Sequence, residues 1–318
     1  MEGYNCLNST IMRLVKAIKN PQWAIRRALN KMLTKYAHLI KNDERYLRMK
    51  WGLNMDFPLN LDNPITFSEK IQWLKLHDHN PLYSILVDKV AVKDYVRNIL
   101  GEEYIIPTLG VYDRPEDIDW NELPDQFVLK CTNDSNSVVI CKDKSNIDKV
   151  AVVNKFKKAL RHNYYYKGRE WPYKNVKGRI IAEKYIKPDP NDKELYDYKF
   201  FCFNGVVKLI QVDYNRFIHH NRNLYTPDWQ RLDAEIGFPS QPGIEFKCPI
   251  VLEEAIDISQ KLSVGIPHVR VDLYILGTKI YFGEMTFYHG GGLEYTKPKE
   301  FNKTIGDWIE LPVINSET

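Results

Sequence analysis

Two carboxylates stand at matching depths on the two arms of one predicted hairpin. The segment RVDLYILGTKIYFGEMT covers residues 270–286 and carries Asp272 before its turn and Glu284 after it. If the turn is a three-residue loop over 277–279, counting outward along both arms places Asp272 opposite Glu284. Opposed side chains have Cβ atoms about 4.5–5.5 Å apart, and two carboxylates that close repel unless a cation lies between them. The spacing therefore predicts a metal site, which a two-residue loop would destroy by turning Glu284 to the other face.

Mg²⁺ is the metal that this pair favours, with Mn²⁺ as a substitute, because one or two carboxylates commonly share Mg²⁺ with nucleotide phosphates. Arg270 and Thr286 lie two positions from the carboxylates and therefore share their face. Arg270 could neutralise a phosphate beside the metal, and Thr286 could add an oxygen ligand. The alternative is a surface hairpin with an Arg–Glu pair, which would contribute little to stability.

Lysines near small or polar residues suggest where phosphates would bind. Lys130 ends the apolar run FVLK and precedes the polar loop CTNDSNS, an arrangement in which many proteins hold nucleotide phosphates. The loop has no glycine, so either side chains such as that of Ser135 replace backbone amides or the phosphates bind more weakly. Lys199, in the predicted strand DYKFF, could reach the same phosphates. The alternative for each lysine is a solvent-facing side chain at a strand end.

The strand IIAEKYI ends in residues that could recognise adenine. The side chain of Glu183, together with main-chain groups of Lys184, Tyr185 and Ile186, could bond the edge of the ring. The same segment is equally typical of a strand that enters a loop.

The surrounding pattern predicts the elements that position these groups. Apolar residues recur at helical spacing after Thr66 or Ser68, which are suitable N-caps, and a further helix is predicted over 84–101. A period of two predicts strand, polar loop and strand over 125–143, and a hairpin that turns at Asn204–Gly205. Helices followed by mixed strands and helices, with antiparallel hairpins, place the chain in the α+β class.

The composition is that of an ordinary globular protein. The 318 residues suffice for two or three subdomains, and a net charge of +4 gives no reason to expect a nucleic-acid partner. The five cysteines include no CxxC pair, which favours a reducing compartment. No apolar run approaches the roughly 18–20 residues that cross a bilayer, and the N-terminus lacks a signal-peptide pattern. We therefore expect a cytoplasmic protein.

The N-terminal segment is basic on its own. From Gly3 to Asn42 there is no acidic residue, while lysines and arginines recur throughout. Residues 10–41 look like a partly amphipathic helix, broken near Asn20–Pro21, that could touch the inner face of a membrane or an anionic polymer. The alternative is a solvated helix packed on the body of the protein.

The order of these features resembles the ATP-grasp superfamily and, within it, the TupA-like branch found among polysaccharide-biosynthesis genes. The supporting phrases are NPITFSEKIQWLKLHDHNPLYSILVDKVAVKDYV, LPDQFVLKCTNDS, AEKYI, DYKFFCFNGVVKLI, VRVDLY and YFGEMTFYHGGGLEY. Together they run from about residue 45 to about residue 300, and the combination is specific where each single motif is not.

The resemblance implies an ATP-grasp fold in which two α+β subdomains clasp ATP behind a helical N-terminal region. The implied divisions are 1–50, a basic helical extension; 51–115, a helical region; 116–190, the smaller subdomain; and 191–318, the C-terminal subdomain with the metal hairpin. Lys199 and Arg270 would be the catalytic cations on the terminal phosphates. The residues implied to contact ATP or its metal are Lys89, Lys130, Glu183, Lys184, Ile186, Lys199, Arg270, Asp272 and Glu284.

Members that resemble this branch activate a carboxylate as an acyl phosphate and couple it to an amine. The resemblance therefore implies a ligase that joins an amino acid to a uronic acid of a cell-surface polysaccharide, such as a capsule, an O-antigen or a teichuronopeptide. Acceptor contacts are predicted at His289, Gly291 and Tyr295 in the YHGGGLEY segment and at Arg216. A flexible glycine turn with an exposed histidine is the alternative for that segment.

Two other functions remain open from the sequence. A glycosyltransferase could use the acidic pair of Asp117 and Asp119, although PEDIDW reads better as a capped turn. A non-catalytic binder of anionic polymer could use the basic N-terminal segment.

Overall fold

The computed structural model describes residues 20–134, 137–188, 194–216 and 219–313. Two helices open the described chain: α1, Pro21–Lys35, and α2, Asp43–Asn54. Asn20 caps α1, because its side chain accepts a hydrogen bond from the Trp23 amide at 3.0 Å. The break predicted near Asn20–Pro21 is thus the start of α1, and residues 1–19 lie outside the described part.

Three helices follow and pack against the larger sheet: α3, Phe67–His77; α4, Leu82–Val87; and α5, Ala91–Leu100. Thr66, one of the two N-caps predicted from the sequence, caps α3, and the structure adds a reciprocal capping box with Glu69. The single helix predicted over 84–101 is wrong, because it is interrupted after α4. Asp88 is the cause: its carboxylate accepts a hydrogen bond from the Val90 amide at 2.8 Å and starts a new helix.

A four-stranded antiparallel sheet has the order β1–β4–β2–β3. Its strands are β1, Thr108–Tyr112; β2, Phe127–Cys131; β3, Val138–Cys141; and β4, Ile180–Lys184. Helix α6, Lys149–Leu160, packs on one face and closes a separate core around Phe127 and Phe156. The opposite face therefore presents the alternate residues of β2 and β4 to the rest of the molecule.

A six-stranded antiparallel sheet carries the predicted hairpin at its edge, in the order β11–β10–β5–β6–β7–β8. Its strands are β5, Asp197–Phe203; β6, Val206–Tyr214; β7, Asn221–Tyr225; β8, Arg231–Leu232; β10, Val269–Leu276; and β11, Lys279–Thr286. The turn at Asn204–Gly205 is confirmed, with φ of 47° and 79°. The short strands β9, Glu235–Ile236, and β12, Thr296–Lys297, pair with each other.

Three further helices complete the described chain: α7, Tyr165–Gly168; α8, Leu252–Ser263; and α9, Phe301–Asp307. Helix α9 returns to α3, where the Ser68 amide donates to Asn302 Oδ1 at 3.0 Å. The largest core therefore joins α3, α4 and α5 to the six-stranded sheet, while the four-stranded sheet has its own core. Helices combined with antiparallel sheets confirm the α+β class, and the predicted division at 51–115, 116–190 and 191–318 stays a prediction.

Candidate active site

The β10–β11 hairpin, where the metal site is predicted, pairs its two carboxylates by a different route from the one predicted. Leu276 pairs with Lys279, so the turn between β10 and β11 has two residues and the predicted loop over 277–279 is wrong. Asp272 nevertheless lies directly opposite Glu284, because the register shifts by one residue between Leu273 and Asp272. A β-bulge thus restores the face that the short turn alone would have reversed.

Gly283 is the extra residue of this bulge. A Cβ atom at this position would lie 3.0 Å from the carbonyl oxygen of Asp272 and 3.3 Å from the ring of Tyr274. Separations this short are tighter than ordinary van der Waals contacts, so a side chain would push the two strands apart. Gly283 therefore allows Glu284 to face Asp272.

Asp272 is buried, with 4% of its surface exposed, and lies between two cations. Arg270 forms a two-pronged contact, Nε to Oδ1 at 2.6 Å and Nη2 to Oδ2 at 2.7 Å. Lys199 Nζ donates to Oδ2 at 2.8 Å. Burial raises the pKa of Asp272, but Arg270 and Lys199 outweigh burial and hold the pKa below its usual value. The carboxylate therefore stays ionised at neutral pH.

Glu284 is less constrained than Asp272. Its side chain is 36% exposed, and its nearest cations are Arg270 Nη2 at 3.7 Å and Lys89 Nζ at 3.9 Å. Thr286 Oγ1 accepts a hydrogen bond from Arg270 Nη2 at 3.1 Å, so the hydroxyl lies on the same face. Glu284 is the group of this set with room to turn toward a ligand.

Asp272, Glu284 and Thr286 form an oxygen-only donor set that suits Mg²⁺ or Mn²⁺. Among the described residues there is no cluster of three or more histidine, cysteine, aspartate or glutamate side chains that could hold a metal. Because Mg²⁺ is usually held by one or two carboxylates together with phosphates and waters, a two-carboxylate set fits a metal that arrives with a nucleotide.

A cleft separates the four-stranded sheet from β11. Its polar lining is Lys89, Lys93, Lys130 and Glu183, and its β11 wall is Phe282 and Gly283. Glu183 lies between two lysines, with Lys130 Nζ at 2.7 Å and Lys93 Nζ at 2.5 Å from its two oxygens. Burial raises the pKa of Glu183, but the two lysines lower it below its usual value. The cleft thus holds three ammonium groups around one carboxylate, an excess of positive charge suited to phosphate.

Lys89 connects the polar loop after β2 to the β10–β11 hairpin. Its Nζ donates to the carbonyl of Asp134 at 2.6 Å and lies 3.9 Å from Glu284. The Asp134 side chain in turn accepts a hydrogen bond from the Ser137 amide at 3.0 Å. This bond stabilises the loop, which contains no glycine. Ser135 lies outside the described residues.

The predicted adenine segment lies at the end of β4. Glu183 is buried, whereas Lys184 is exposed and its amide donates to the carbonyl of Pro107 at 3.0 Å. Tyr185 and Ile186 are partly buried just beyond the strand. Of this segment, Glu183 lines the cleft, and adenine recognition by these residues stays a prediction.

A closed ring of buried side chains holds Lys199 and Arg270 from behind. The ring consists of Asp272, Arg270, His289, Glu294, Arg222, Asp213 and Lys199. On one side, Arg270 Nη1 donates to His289 Nδ1 at 2.5 Å, and His289 Nε2 lies 3.0 Å from Glu294 Oε2. Because Nδ1 accepts from the guanidinium, the imidazole proton belongs on Nε2.

The other side of the ring passes through β6 and β7. Arg222 Nη1 lies 3.0 Å from Glu294, and Arg222 Nε lies 2.8 Å from Asp213 Oδ1. Asp213 Oδ2 lies 3.9 Å from Lys199 Nζ, which closes the ring. Burial lowers the pKa of His289, so three cations and three carboxylates balance around a neutral imidazole. This arrangement fixes the two predicted catalytic cations without leaving a buried charge unpaired.

The predicted acceptor residues are not gathered in one place. His289 is 2% exposed and lies behind Arg270, and the carbonyl of Gly291 accepts from Lys75 Nζ at 2.7 Å. Tyr295 is half exposed, and Arg216 forms an ion pair with Asp197. Acceptor contact by these residues stays a prediction. For His289, burial of the side chain disfavours such a contact.

Sequence reasoning missed Lys93 and, at the back of the ring, Asp213 and Glu294. Lys93 follows Lys89 by four residues, a spacing that places two side chains on one helical face and could have indicated it. Asp213 lies two residues after Gln211 in β6, so the two side chains share one face of the sheet. Gln211 pairs with Lys199 of β5, and this face is therefore also the face of Lys199. The acidic pair that suggested a glycosyltransferase forms turn contacts: Asp117 pairs with Arg114, and Asp119 accepts from the Asn121 amide.

The family model described as TupA-like ATPgrasp matches residues 69–310. This range includes the hairpin, the cleft and the ring, and it covers most of the chain. The protein belongs to the TupA-like ATP-grasp family, which confirms the resemblance drawn from its motifs. None of the curated proteins compared with the chain matches it.

Solved structures with a detectable likeness include several ligases. D-alanine–D-alanine ligase from Bacillus anthracis complexed with ATP is 17% identical, with 64% of this chain and 54% of that chain covered and a TM-score of 0.37. The ATP-grasp ligase PsnB, with Mg and ADP, is 9% identical, with 69% and 56% covered and a TM-score of 0.36. An ATP-grasp RimK domain protein from Sphaerobacter thermophilus is 12% identical, with 71% and 69% covered and a TM-score of 0.39. The chain thus spans little more than half of the first two.

Proposed function

We propose that the protein is an ATP-dependent carboxylate–amine ligase that releases ADP and phosphate. One observation carries this proposal: Asp272 and Glu284 face each other beside a cleft lined by lysines, with Lys199 and Arg270 fixed next to them. Oxygen ligands for Mg²⁺ next to several cations are what a bound nucleoside triphosphate requires. Membership of the ATP-grasp family supports the same activity.

The chemical problem is that a carboxylate is a poor acylating agent, because its leaving group would be oxide. Transfer of the terminal phosphoryl group of ATP to a carboxylate oxygen breaks the bond between the γ-phosphorus and its bridging oxygen and yields ADP and an acyl phosphate. An amine then attacks the acyl carbon, phosphate leaves, and the amine loses a proton to give an amide. No nucleophilic side chain is required, so the protein acts by positioning and by charge.

The residues of this chain divide that work by their place in the cleft. When bound, Mg²⁺ would offset phosphate charge while Asp272 and Glu284 hold it. Lys199 and Arg270 lie beside Asp272 and would stabilise the negative charge that develops on the transferred group. Lys89 and Lys130 would bind phosphate oxygens from the side of the smaller sheet. The ring through His289 keeps the Arg270 guanidinium from rotating during the transfer.

We propose a uronic acid of a cell-surface polysaccharide as the carboxylate and an amino acid as the amine. Support comes from the likeness of the motifs to the polysaccharide-biosynthesis branch and from the positive groups near the cleft, which suit an acidic sugar. Arg216, Gly291 and Tyr295 are the proposed acceptor contacts. A cytoplasmic location, with contact to the inner face of the membrane, would bring the protein to such an acceptor.

The direct test incubates the full chain with ATP, Mg²⁺, a panel of amino acids and acceptors that contain a uronic acid. We expect ADP release that requires both an amino acid and a uronate, and a product heavier by one amino acid less one water. Glu284→Gln should abolish this product, and the exposed-carboxylate variant Glu245→Gln should not. Transfer of a sugar from a nucleotide sugar would contradict the proposal. So would ADP release that depends on neither the amino acid nor the uronate acceptor.

A further inference from the structure

A row of exposed apolar side chains runs along α1. Ile25, Leu29, Met32 and Tyr36 follow one another at intervals of four, three and four residues, and their exposed fractions range from 41% to 60%. At about 100° per residue, these positions lie within about 60° of the helix circumference. We call this set the α1 stripe.

The α1 stripe is not the face by which α1 packs on the protein. Leu33 fills that role: it is 8% exposed and joins Ala37, Tyr46 and Leu47 in a small core with α2. The helix therefore buries one apolar face and presents a second one to solvent. Isolated exposed apolar residues are common, but a contiguous row marks an interaction surface.

Cations flank the α1 stripe on the side away from α2. Lys31 and Lys35 are exposed there, and α1 contains no acidic residue. A soluble polyanion would engage these cations but leave the α1 stripe in water. A second copy of this chain would cover the stripe but bring like charges together. An anionic lipid surface is the occupant that satisfies both features at once.

We propose that α1 lies in the plane of an anionic membrane, with the α1 stripe at the boundary between headgroups and acyl chains. Lys31 and Lys35 then contact the anionic headgroups. This proposal does not rest on the ligase activity, because it concerns a surface formed by α1 alone. It assigns the residues within 20–41 that would perform the membrane contact expected of the basic N-terminal segment.

Vesicle binding of the full chain tests the proposal without ATP or acceptor. Cosedimentation is measured with vesicles of phosphatidylcholine alone and with equal parts phosphatidylcholine and phosphatidylglycerol. We expect binding to the anionic vesicles only. Each cation near the surface contributes about a fivefold increase in affinity, so replacing Lys31 and Lys35 by glutamine should weaken binding about 25-fold. Ile25→Ser with Met32→Ser should weaken it by a similar factor.

The matched control is Ile250→Ser with Val264→Ser, which removes two apolar side chains that are more exposed, at 87% and 71%, from elsewhere on the surface. This control should bind as the wild type does. Equal binding to neutral vesicles would overturn the proposal, and so would binding that depends on the cations but not on Ile25 and Met32, since that result indicates a polyanion site. A dimer in sedimentation velocity that Ile25→Ser with Met32→Ser dissociates would assign the α1 stripe to a second copy.

Discussion

Asp272 and Glu284 face each other but differ in how firmly the protein holds them. Asp272 accepts hydrogen bonds from Arg270 and Lys199 at 2.6–2.8 Å, so its charge is needed even before any ligand binds. Glu284 keeps its nearest cations at 3.7 and 3.9 Å and is partly exposed. Removing the charge of each residue should therefore have different consequences.

Glu284→Gln should lower kcat about 100-fold or more, because one charged group that serves the transferred phosphate is lost. Its thermal unfolding should stay close to that of the wild type, since no short ion pair is broken. Asp272→Asn should lower kcat as well and, in addition, destabilise the fold by about 3–5 kcal/mol, because Arg270 and Lys199 lose their shared partner in a buried site. Steady-state kinetics and calorimetric unfolding measure both effects. Full turnover in Glu284→Gln would contradict its place at the metal.

We expect His289 to act as a positioning residue rather than as an acceptor contact, because it is 2% exposed and its partners are Arg270 and Glu294. His289→Ala removes the acceptor for Arg270 Nη1 and should lower kcat about 10- to 100-fold, with a smaller change in KM for ATP. His289→Asn restores an acceptor near the position of Nδ1 and should recover most of kcat. If alanine and asparagine variants have the same kcat, or lose only stability, His289 does not position Arg270.

Elements, rather than single residues, decide which side chains meet. The β10–β11 hairpin shows this: counting from a three-residue loop places Asp272 opposite Glu284, and the real pairing comes from a two-residue turn plus a bulge. The sequence analysis made the turn one residue too long and missed the one-residue bulge. These two errors cancel, because each changes the register by one residue. Gly283 signals such a bulge in sequence, but a glycine in a strand does not reveal which register it produces.

Gly283→Ala tests whether the bulge places Glu284. The added Cβ would lie 3.0 Å from the Asp272 carbonyl, so the bulge should shift, lower kcat and cost about 1–3 kcal/mol of stability. Gly52→Ala is the matched control, because Gly52 lies inside α2 with no atom within 4 Å of the added Cβ. That control should be neutral or stabilising by about 1 kcal/mol. An unchanged kcat in Gly283→Ala would mean that the register tolerates a side chain.

The element boundaries show what sequence patterns can and cannot predict. The N-cap, predicted at Thr66 or Ser68 and found at Thr66, and the Asn204–Gly205 turn are local signals, and both are confirmed. The interruption between α4 and α5 was missed because Asp88 fits a helical pattern. Its carboxylate instead accepts a hydrogen bond from the Val90 amide and is also bound by Arg179, 91 residues away. The ring around Arg270 likewise joins residues from four strands and a loop, so no spacing in the sequence encodes it.

At the scale of the molecule, two cores support the two walls of the cleft. The six-stranded sheet shares its core with α3, α4 and α5, and the four-stranded sheet packs with α6. Lys89 spans the gap, since it contacts both the loop after β2 and the β10–β11 hairpin. Bound nucleotide should therefore join the two walls more firmly than the protein alone does.

The stability of the larger core should depend on pH through His268. This side chain is buried, lies against Phe203 and donates from Nδ1 to the Cys202 carbonyl at 3.0 Å. Burial lowers its pKa from 6.5 to about 3. The unfolded chain therefore binds the proton at a higher pH than the folded chain does. The contribution of neutral His268 to the free energy of unfolding is fully present above about pH 6.5 and is lost as the pH falls toward 3.

His268→Phe should reduce the loss of stability at acid pH, while keeping an aromatic ring in the same site. The difference in free energy of unfolding between wild type and variant, measured by urea at several pH values between 7 and 4, isolates the histidine from the carboxylates. A difference that stays constant over this pH range would show that His268 does not cause the loss of stability at acid pH.

The central claim is that the facing carboxylates and the surrounding cations hold ATP together with its metal. Isothermal titration of ATP into the full chain tests it most directly, with Mg²⁺ present, with Mg²⁺ chelated, and with Glu284→Gln in place of the wild type. The account predicts saturable binding to one site that weakens on chelation, with Glu284→Gln losing most of that Mg²⁺ dependence. An absence of heat from ATP under all conditions, or binding that neither chelation nor Glu284→Gln affects, would contradict it.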